Sequence, residues 1–318
     1  MNSLSFWTFI KRQLEQKEPV ILLLVLESKG SSPGRQGFKM AVTKQEMIGY
    51  IGGGIMEHKF VEMAREKLTE TAVESQLKKQ FHSKSAASNQ SGMICSGEQT
   101  IFLYRLNESD RQSIEKLISS ISQYHNGTLT ITKAGIQFST VIPSTDINFE
   151  MSAEENWTYI EKSGYKNQLH IIGGGHCALA LSKIMSGMDF KIHIYEDRKE
   201  LNTFESNTFV QKKIIVADYA NITPHIPSGK NQYVVIMTFG YRTDDIVLRA
   251  LIDHDFKYIG VLGSKAKMDQ LFVEWSNDGI STDRLKNINA PIGIQIKSQT
   301  PEEIAVSIAA ELIKVKNA

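Results

Sequence analysis

The sequence predicts a chain of two units, an α+β unit followed by an α/β unit built on a doubly wound parallel sheet. Two observations carry this. Beyond residue 166 five short apolar runs alternate with helix-compatible segments, the pattern of βαβ units. Before residue 143 strands meander and helices stand apart from them, the texture of an α+β fold of about 140 residues. The polar stretch between them, with SAEEN and KSGYKN, is expected to be an irregular linker over 143–166.

In order, residues 1–16 carry Phe6, Trp7, Ile10 and Leu14 at helical spacing, which predicts an amphipathic helix. Residues 20–27 hold seven consecutive apolar side chains and end at the turn signal Gly30-Ser31-Ser32-Pro33, so they form a buried strand. Two short strands are expected at 38–43 and 47–51. The run Gly52-Gly53-Gly54 then opens a helix over 55–68, with Met56, Phe60, Ala64 and Leu68 on one face. Residues 75–91 are polar without an apolar period and are expected to be an exposed loop. A strand at 99–106, a helix at 109–124 and a hairpin of 128–133 with 136–142 complete the unit. In the second unit the strands fall at 169–172, 191–195, 213–217, 233–238 and 258–262, and the helices at 177–188, 243–254 and 265–277. Residues 301–314 close the chain as a helix, with Thr300 as N-cap, Pro301 at the first helical position and Glu303 placed for a capping box.

Composition excludes several classes. Of 318 residues, 41% are apolar and 22% charged, enough to fill ordinary cores. Net charge is +1, so the basic excess of a nucleic-acid binder is missing. The longest apolar run, 20–26, is far short of the ~20 residues of a membrane span, and the N-terminal stretch does not read as a signal peptide. Two cysteines, Cys95 and Cys177, argue against a disulfide framework and for a cytoplasmic location.

The sharpest motif is LHIIGGGHCALAL (169–181), a strand followed by Gly173-x-Gly175-x-x-Ala178 and a helix. Glycines there permit a tight turn and close approach of a ligand to the backbone, and the N–H groups of the helix start suit a phosphate. An acid is expected about 20 positions on, at the end of the second strand, to accept from a ribose hydroxyl; Glu196 and Asp197 stand there. A tight βα turn without a ligand is the alternative. His176 either bonds a phosphate or caps the turn. Cys177 is either a thiolate activated by the helix dipole or a small buried hydrophobe. His170, His193 and His225 have no metal spacing and are assigned structural roles. In the first unit GSSPGRQG (30–37) and GGGIMEH (52–58) are small-residue loops at strand ends. Glu57 in the second is either near a ligand or a cap, and Arg35 and Lys39 are candidate anion contacts. Cys95, in SGMICSGEQT between Gly92 and Gly97, is a candidate accessible thiol for a soft metal or for carrying sulfur.

Taken together, GSSP (30–33), GGGIME (52–57), Cys95-x-Gly97, GGGH (173–176), EDR (196–198), GSKAK (263–267), PIG (291–293) and TPEEIAVSIAAEL (300–312) resemble the XdhC/CoxI family of maturation factors for molybdenum hydroxylases such as xanthine dehydrogenase. The resemblance spans both units. It implies a Rossmann-like second unit and a protein that binds molybdenum cofactor, as molybdopterin or its dinucleotide form. It further implies that the protein assists sulfuration of that cofactor and its insertion into an apo-hydroxylase. The implied cofactor-binding set is Gly52, Gly53, Gly54, Glu57, Cys95, Gly173, Gly175, His176, Glu196, Asp197, Arg198, Ser264 and Lys267, with Cys95 as the molybdenum contact. The implied partners are the apo-hydroxylase, a cysteine desulfurase and a second copy of the chain. Three departures stand out: Ser96 where the family has glycine, Phe239 where many relatives have histidine after the fourth strand, and Gln295 with Lys297 where an acid and a glycine are usual.

A competing reading is an NAD(P)-dependent oxidoreductase built on the glycine turn and Glu196 or Asp197. It lacks an identifiable catalytic acid–base pair, leaving Tyr241 and Arg242 as substitutes.

Overall fold

A computed structural model describes residues 3–70, 75–81 and 97–318. The chain divides after Gly164 into two compact units.

The first unit opens with α1 (Ser3–Glu15), whose Phe6, Trp7, Ile10 and Leu14 are all buried, as their spacing requires. Next come β1 (Ile21–Gly30), β2 (Lys39–Val42), β3 (Met47–Gly49), α2 (Gly54–Leu68), β4 (Gln76–Phe81) and β5 (Gly97–Arg105). These strands form an antiparallel sheet in the order β3-β2-β1-β5-β4. Alternate β1 side chains feed two cores. Leu22, Leu24 and Leu26 join α1 on one face, and Ile21, Leu23 and Val25 meet Met56, Phe60 and Ala64 of α2 on the other. The helix α3 (Glu108–Ser122) begins at a capping box of Asn107 and Asp110. A second antiparallel sheet, ordered β7-β6-β9-β8, is made by β6 (Gly127–Thr132), β7 (Gly135–Ser139), β8 (Ile147–Ala153) and β9 (Asn156–Ser163).

Two expectations are corrected here. The span 143–166 is no irregular linker; it holds the β8–β9 hairpin, which completes the second sheet because Trp157 and Tyr159 alternate into the first unit's core. Within the expected loop 75–91, β4 pairs along β5 as an edge strand, with Leu77 packed against the core.

The second unit follows its prediction closely. The parallel strands are β10 (Asn167–Ile172), β11 (Phe190–Glu196), β12 (Lys212–Ile215), β13 (Gly229–Ile236), β14 (Phe256–Val261) and the two-residue β15 (Ile288–Asn289). Their order is β12-β11-β10-β13-β14-β15. Numbered within the unit this is 3-2-1-4-5-6, the dinucleotide-fold order, with its switch point between β10 and β13. Helices α4 (His176–Met185) and α9 (Pro301–Lys316) pack on one face of the sheet. The short α5 (Asn202–Glu205) lies against that core through Phe204, and α6 (Tyr241–Leu251), α7 (Lys265–Asn277) and α8 (Thr282–Lys286) cover the other face. The capping box of Thr300 and Glu303 starts α9. The PIG turn docks on the same helix: Gly293 N–H donates to Glu311 Oε2 at 2.7 Å, and a side chain at Gly293 would collide with Ser307. His170 is buried between Tyr195 Oη at 2.9 Å and Gln232 Oε1 at 2.8 Å, and burial pushes its pKa down to about 4.

Candidate functional site

Four segments follow the carboxyl ends of the adjacent parallel strands β11, β10, β13 and β14. They are Asp197-Arg198, Gly173–Gly175, Thr238–Gly240 and Gly263–Lys267. Crevices at such a switch point are where open α/β sheets bind ligands.

The three glycines after β10 do different jobs. Gly173 has φ +107°, and a Cβ there would stand 2.2 Å from Met237 O, so strand packing demands glycine. Gly174 is hemmed in by Phe204 and Glu196. Gly175 is the N-cap of α4, and a Cβ at this position would meet no atom of the described residues within 4 Å. No side chain caps α4, so its first-turn N–H groups face that open space. Gly240, after β13, repeats the arrangement: it is the uncapped N-cap of α6, with open space where a side chain would stand. Two helix N-termini therefore flank the switch point.

Glu196 is 0% exposed and its carboxylate is fully engaged. Oε2 accepts from Gly174 N–H at 2.7 Å and from Arg198 Nη2 at 2.9 Å; Oε1 accepts from Arg198 Nε at 2.8 Å and from the Asp197 and Arg198 N–H groups. Burial pushes its pKa up, but the bonds to Arg198, to Asp197 and to the backbone outweigh burial and bring it to about 2. Glu196 thus fastens the glycine turn to the end of β11. Asp197 is the partly exposed carboxylate of the pair, and its pKa is raised by burial and by Glu196 beside it.

The fork bond to Glu196 holds Arg198 in place, and its guanidinium stands over the Phe239 ring at 5.4 Å. Sequence reasoning gave Phe239 no role. Its partner lies 41 positions away, and only the fold joins them.

Ser264 caps α7 by accepting from Lys267 N–H at 3.3 Å. Lys267 Nζ lies 3.0 Å from Asp244 Oδ2, while Asp244 Oδ1 accepts from Thr238 N–H and Thr238 Oγ1. Asp244 is 2% exposed, so this ion pair ties the first turns of α6 and α7 to the loop after β13. His176 is exposed at the start of α4. Cys177 packs against the core between α4 and the sheet, and burial together with Glu302 pushes its thiol pKa up. The upward direction is opposite to that of an activated thiolate, and the side chain is half-buried rather than fully buried.

In the first unit Glu57 Oε2 accepts from Ile51 N–H at 2.9 Å and Gly53 N–H at 3.1 Å, closing the Gly52–Gly54 turn much as Glu196 closes the other. A side chain at Gly52 would strike Gly34 N, and one at Gly97 would strike Ser31, so the two glycine loops pack together at the start of β5. A Cβ on Gly53, the N-cap of α2, would meet no atom of the described residues within 4 Å. Lys39 is paired with Glu161 at 2.5 Å, whereas Arg35 is exposed. Cys95 and Ser96 lie outside the described residues. Among the described residues no group of three or more His, Cys, Asp or Glu side chains is placed to hold a metal ion, and no helix is long and apolar enough to cross a membrane.

Comparison with known proteins matches residues 169–312 to the XdhC Rossmann domain and residues 13–76 to the XdhC and CoxI family. The chain belongs to the XdhC/CoxI family. It is 22% identical over 338 residues to a Bacillus subtilis protein named as a probable subunit of xanthine dehydrogenase, with 98% of each chain covered. It is also 22% identical over 308 residues to the uncharacterized protein YqeB of Escherichia coli; that match covers 95% of this chain and 44% of the relative, so the chain spans less than half that protein's length. The fold matches a Bacillus halodurans crystal structure described as a xanthine dehydrogenase, with a TM-score of 0.73, 20% identity and coverage of 98% and 95% of the two chains.

Proposed function

We propose that this protein is a maturation factor that binds molybdenum cofactor as cargo and delivers it, with assistance to its sulfuration, to an apo-hydroxylase of the xanthine dehydrogenase type. The observation that carries the reading is the backbone cradle at the switch point. Gly175 and Gly240 leave open space beside two uncapped helix N-termini, the chemistry that receives a phosphate. The cargo is a pterin dithiolene bearing a phosphate, so its anionic end fits main-chain N–H groups backed by Arg198. The reading keeps Cys95, a residue of the first unit, as the soft sulfur that the family resemblance assigns to molybdenum. Family membership supports the partner class, since a relative of matching length is named for its place in xanthine dehydrogenase. The same reading includes a cysteine desulfurase as sulfur donor, a homodimeric state and a cytoplasmic setting.

The test is elemental. Full-length protein purified from cells that make molybdopterin is expected to carry sub-stoichiometric molybdenum, and Cys95→Ala to carry less. Equal loading of the two removes the cysteine from the account.

The strand order and the carboxylates ending β11 favour one second reading, NAD(P) binding. Fluorescence titration with NADH and NADPH separates the two. Micromolar binding coupled to hydride transfer favours an oxidoreductase; binding alone does not.

A further inference from the structure

Phe239 is 87% exposed, the most exposed large apolar side chain among the described residues. Water-exposed phenyl rings are usually tolerated singly and need no explanation. This one differs in its setting. It stands three residues beyond the end of β13 at the switch point, and the residue after it is Gly240, where an added Cβ would meet no atom of the described residues within 4 Å. It is also not a free rotor against solvent. Arg198 lies over the ring at 5.4 Å, and the guanidinium is itself fixed by two bonds to the buried Glu196, at 2.8 and 2.9 Å. The ring thus has a cation tethered to Glu196 over one side and is uncovered elsewhere. A flat, uncovered ring beside a phosphate cradle is a stacking platform.

We propose that Phe239 is the base-stacking residue of the crevice and that the ligand held there is a nucleotide, its diphosphate on the α4 N-terminus and its heterocyclic base on the Phe239 ring. Asp197, the partly exposed carboxylate ending β11, then stands on the ribose side. This rests on the reading that the crevice binds a phosphorylated ligand, and it selects among such ligands those carrying a nucleoside. The extended, dinucleotide form of the cargo satisfies it; a cargo ending in a bare phosphate does not.

The test uses the full chain with ADP, CDP and GDP as base-bearing probes and pyrophosphate as the base-free probe, by calorimetric titration. Wild type is expected to bind at least one nucleoside diphosphate about tenfold or more tighter than pyrophosphate, the scale of one base–aromatic stack. Phe239→Ala is expected to erase that difference and leave pyrophosphate affinity unchanged. Folding is not at risk, since the side chain is almost wholly in water. Phe239→Trp gives an independent readout. The three native tryptophans, Trp7, Trp157 and Trp275, are buried, so quenching of the new indole by nucleotides and not by pyrophosphate reports stacking. Pyrophosphate binding as tightly as every nucleoside diphosphate, or Phe239→Ala keeping the preference, overturns the platform while leaving the phosphate cradle standing. If wild type binds none of the four probes, the cradle fails and the platform with it.

Discussion

Replacing Gly175 by Asp separates binding from folding. Gly175 sits at φ −70°, ψ −172°, extended backbone that any residue adopts, and an added Cβ finds no atom of the described residues within 4 Å. As N-cap of α4, an Asp accepts from the free N–H groups of the first turn, which favours folding over Gly by a few tenths of a kcal/mol. The same carboxylate then occupies the place of a phosphate. Two unit charges about 4 Å apart at an effective dielectric constant of about 20 repel by about 4 kcal/mol, roughly a thousandfold in affinity. Salt screens part of this, so the expected loss is at least about a hundredfold. Gly175→Asn, with the same shape and no charge, should lose less. Thermal unfolding checks that both variants keep the wild-type midpoint within about 1 °C or exceed it, and titration with pyrophosphate measures binding. Undiminished binding by Gly175→Asp refutes the assignment of these N–H groups to an anion; a collapsed midpoint refutes the open space.

Three further outcomes follow from the same geometry. Gly173→Ala is expected to destabilise the second unit by about 2 kcal/mol or more in urea unfolding, because its φ of +107° is strained for alanine and its Cβ would strike Met237 O. Glu196→Gln sets an amide where Gly174 and Arg198 donate, and should cost about 3 kcal/mol of stability at neutral pH. The Glu196 pKa is lowered on folding, so the wild-type advantage is fully present above the ordinary glutamate pKa of 4.5 and fades as pH falls toward about 2; a gap that closes between pH 8 and 6 would contradict this. In a Cys95→Ala background the remaining thiol, Cys177, should alkylate slowly at pH 7 and faster only above pH 9, and rapid labelling at neutral pH would contradict its raised pKa.

The legible parts of the sequence were those with a strong local cause. The Thr300–Glu303 capping box, the four-residue spacing in α2 and the alternation of apolar runs after residue 166 each predicted an element that the structure contains. The β8–β9 hairpin did carry a period-two signal, Ile147, Phe149, Met151 and Ala153 between Asn148, Glu150 and Ser152, but no residue of β8 is fully buried and the polar SAEEN turn masked the alternation. Strand β4 escaped for a related reason: an edge strand with Lys78 and Lys79 shows no apolar period. At the site, spacing located the acidic pair ending β11 but could not tell which carboxylate turns inward. Only the folded turn shows Glu196 spent on Gly174 and Arg198. Arg198 on Phe239 and Lys267 on Asp244 join residues from different strand ends, and no local pattern carries such a pairing.

The most direct measurement is the molybdenum content, per mole of protein, of wild type and Gly175→Asp purified in parallel from cells producing molybdopterin. Metal on the wild type and essentially none on an equally stable Gly175→Asp is the expected result. Equal metal on both would mean that the cargo is not held by the helix start after β10.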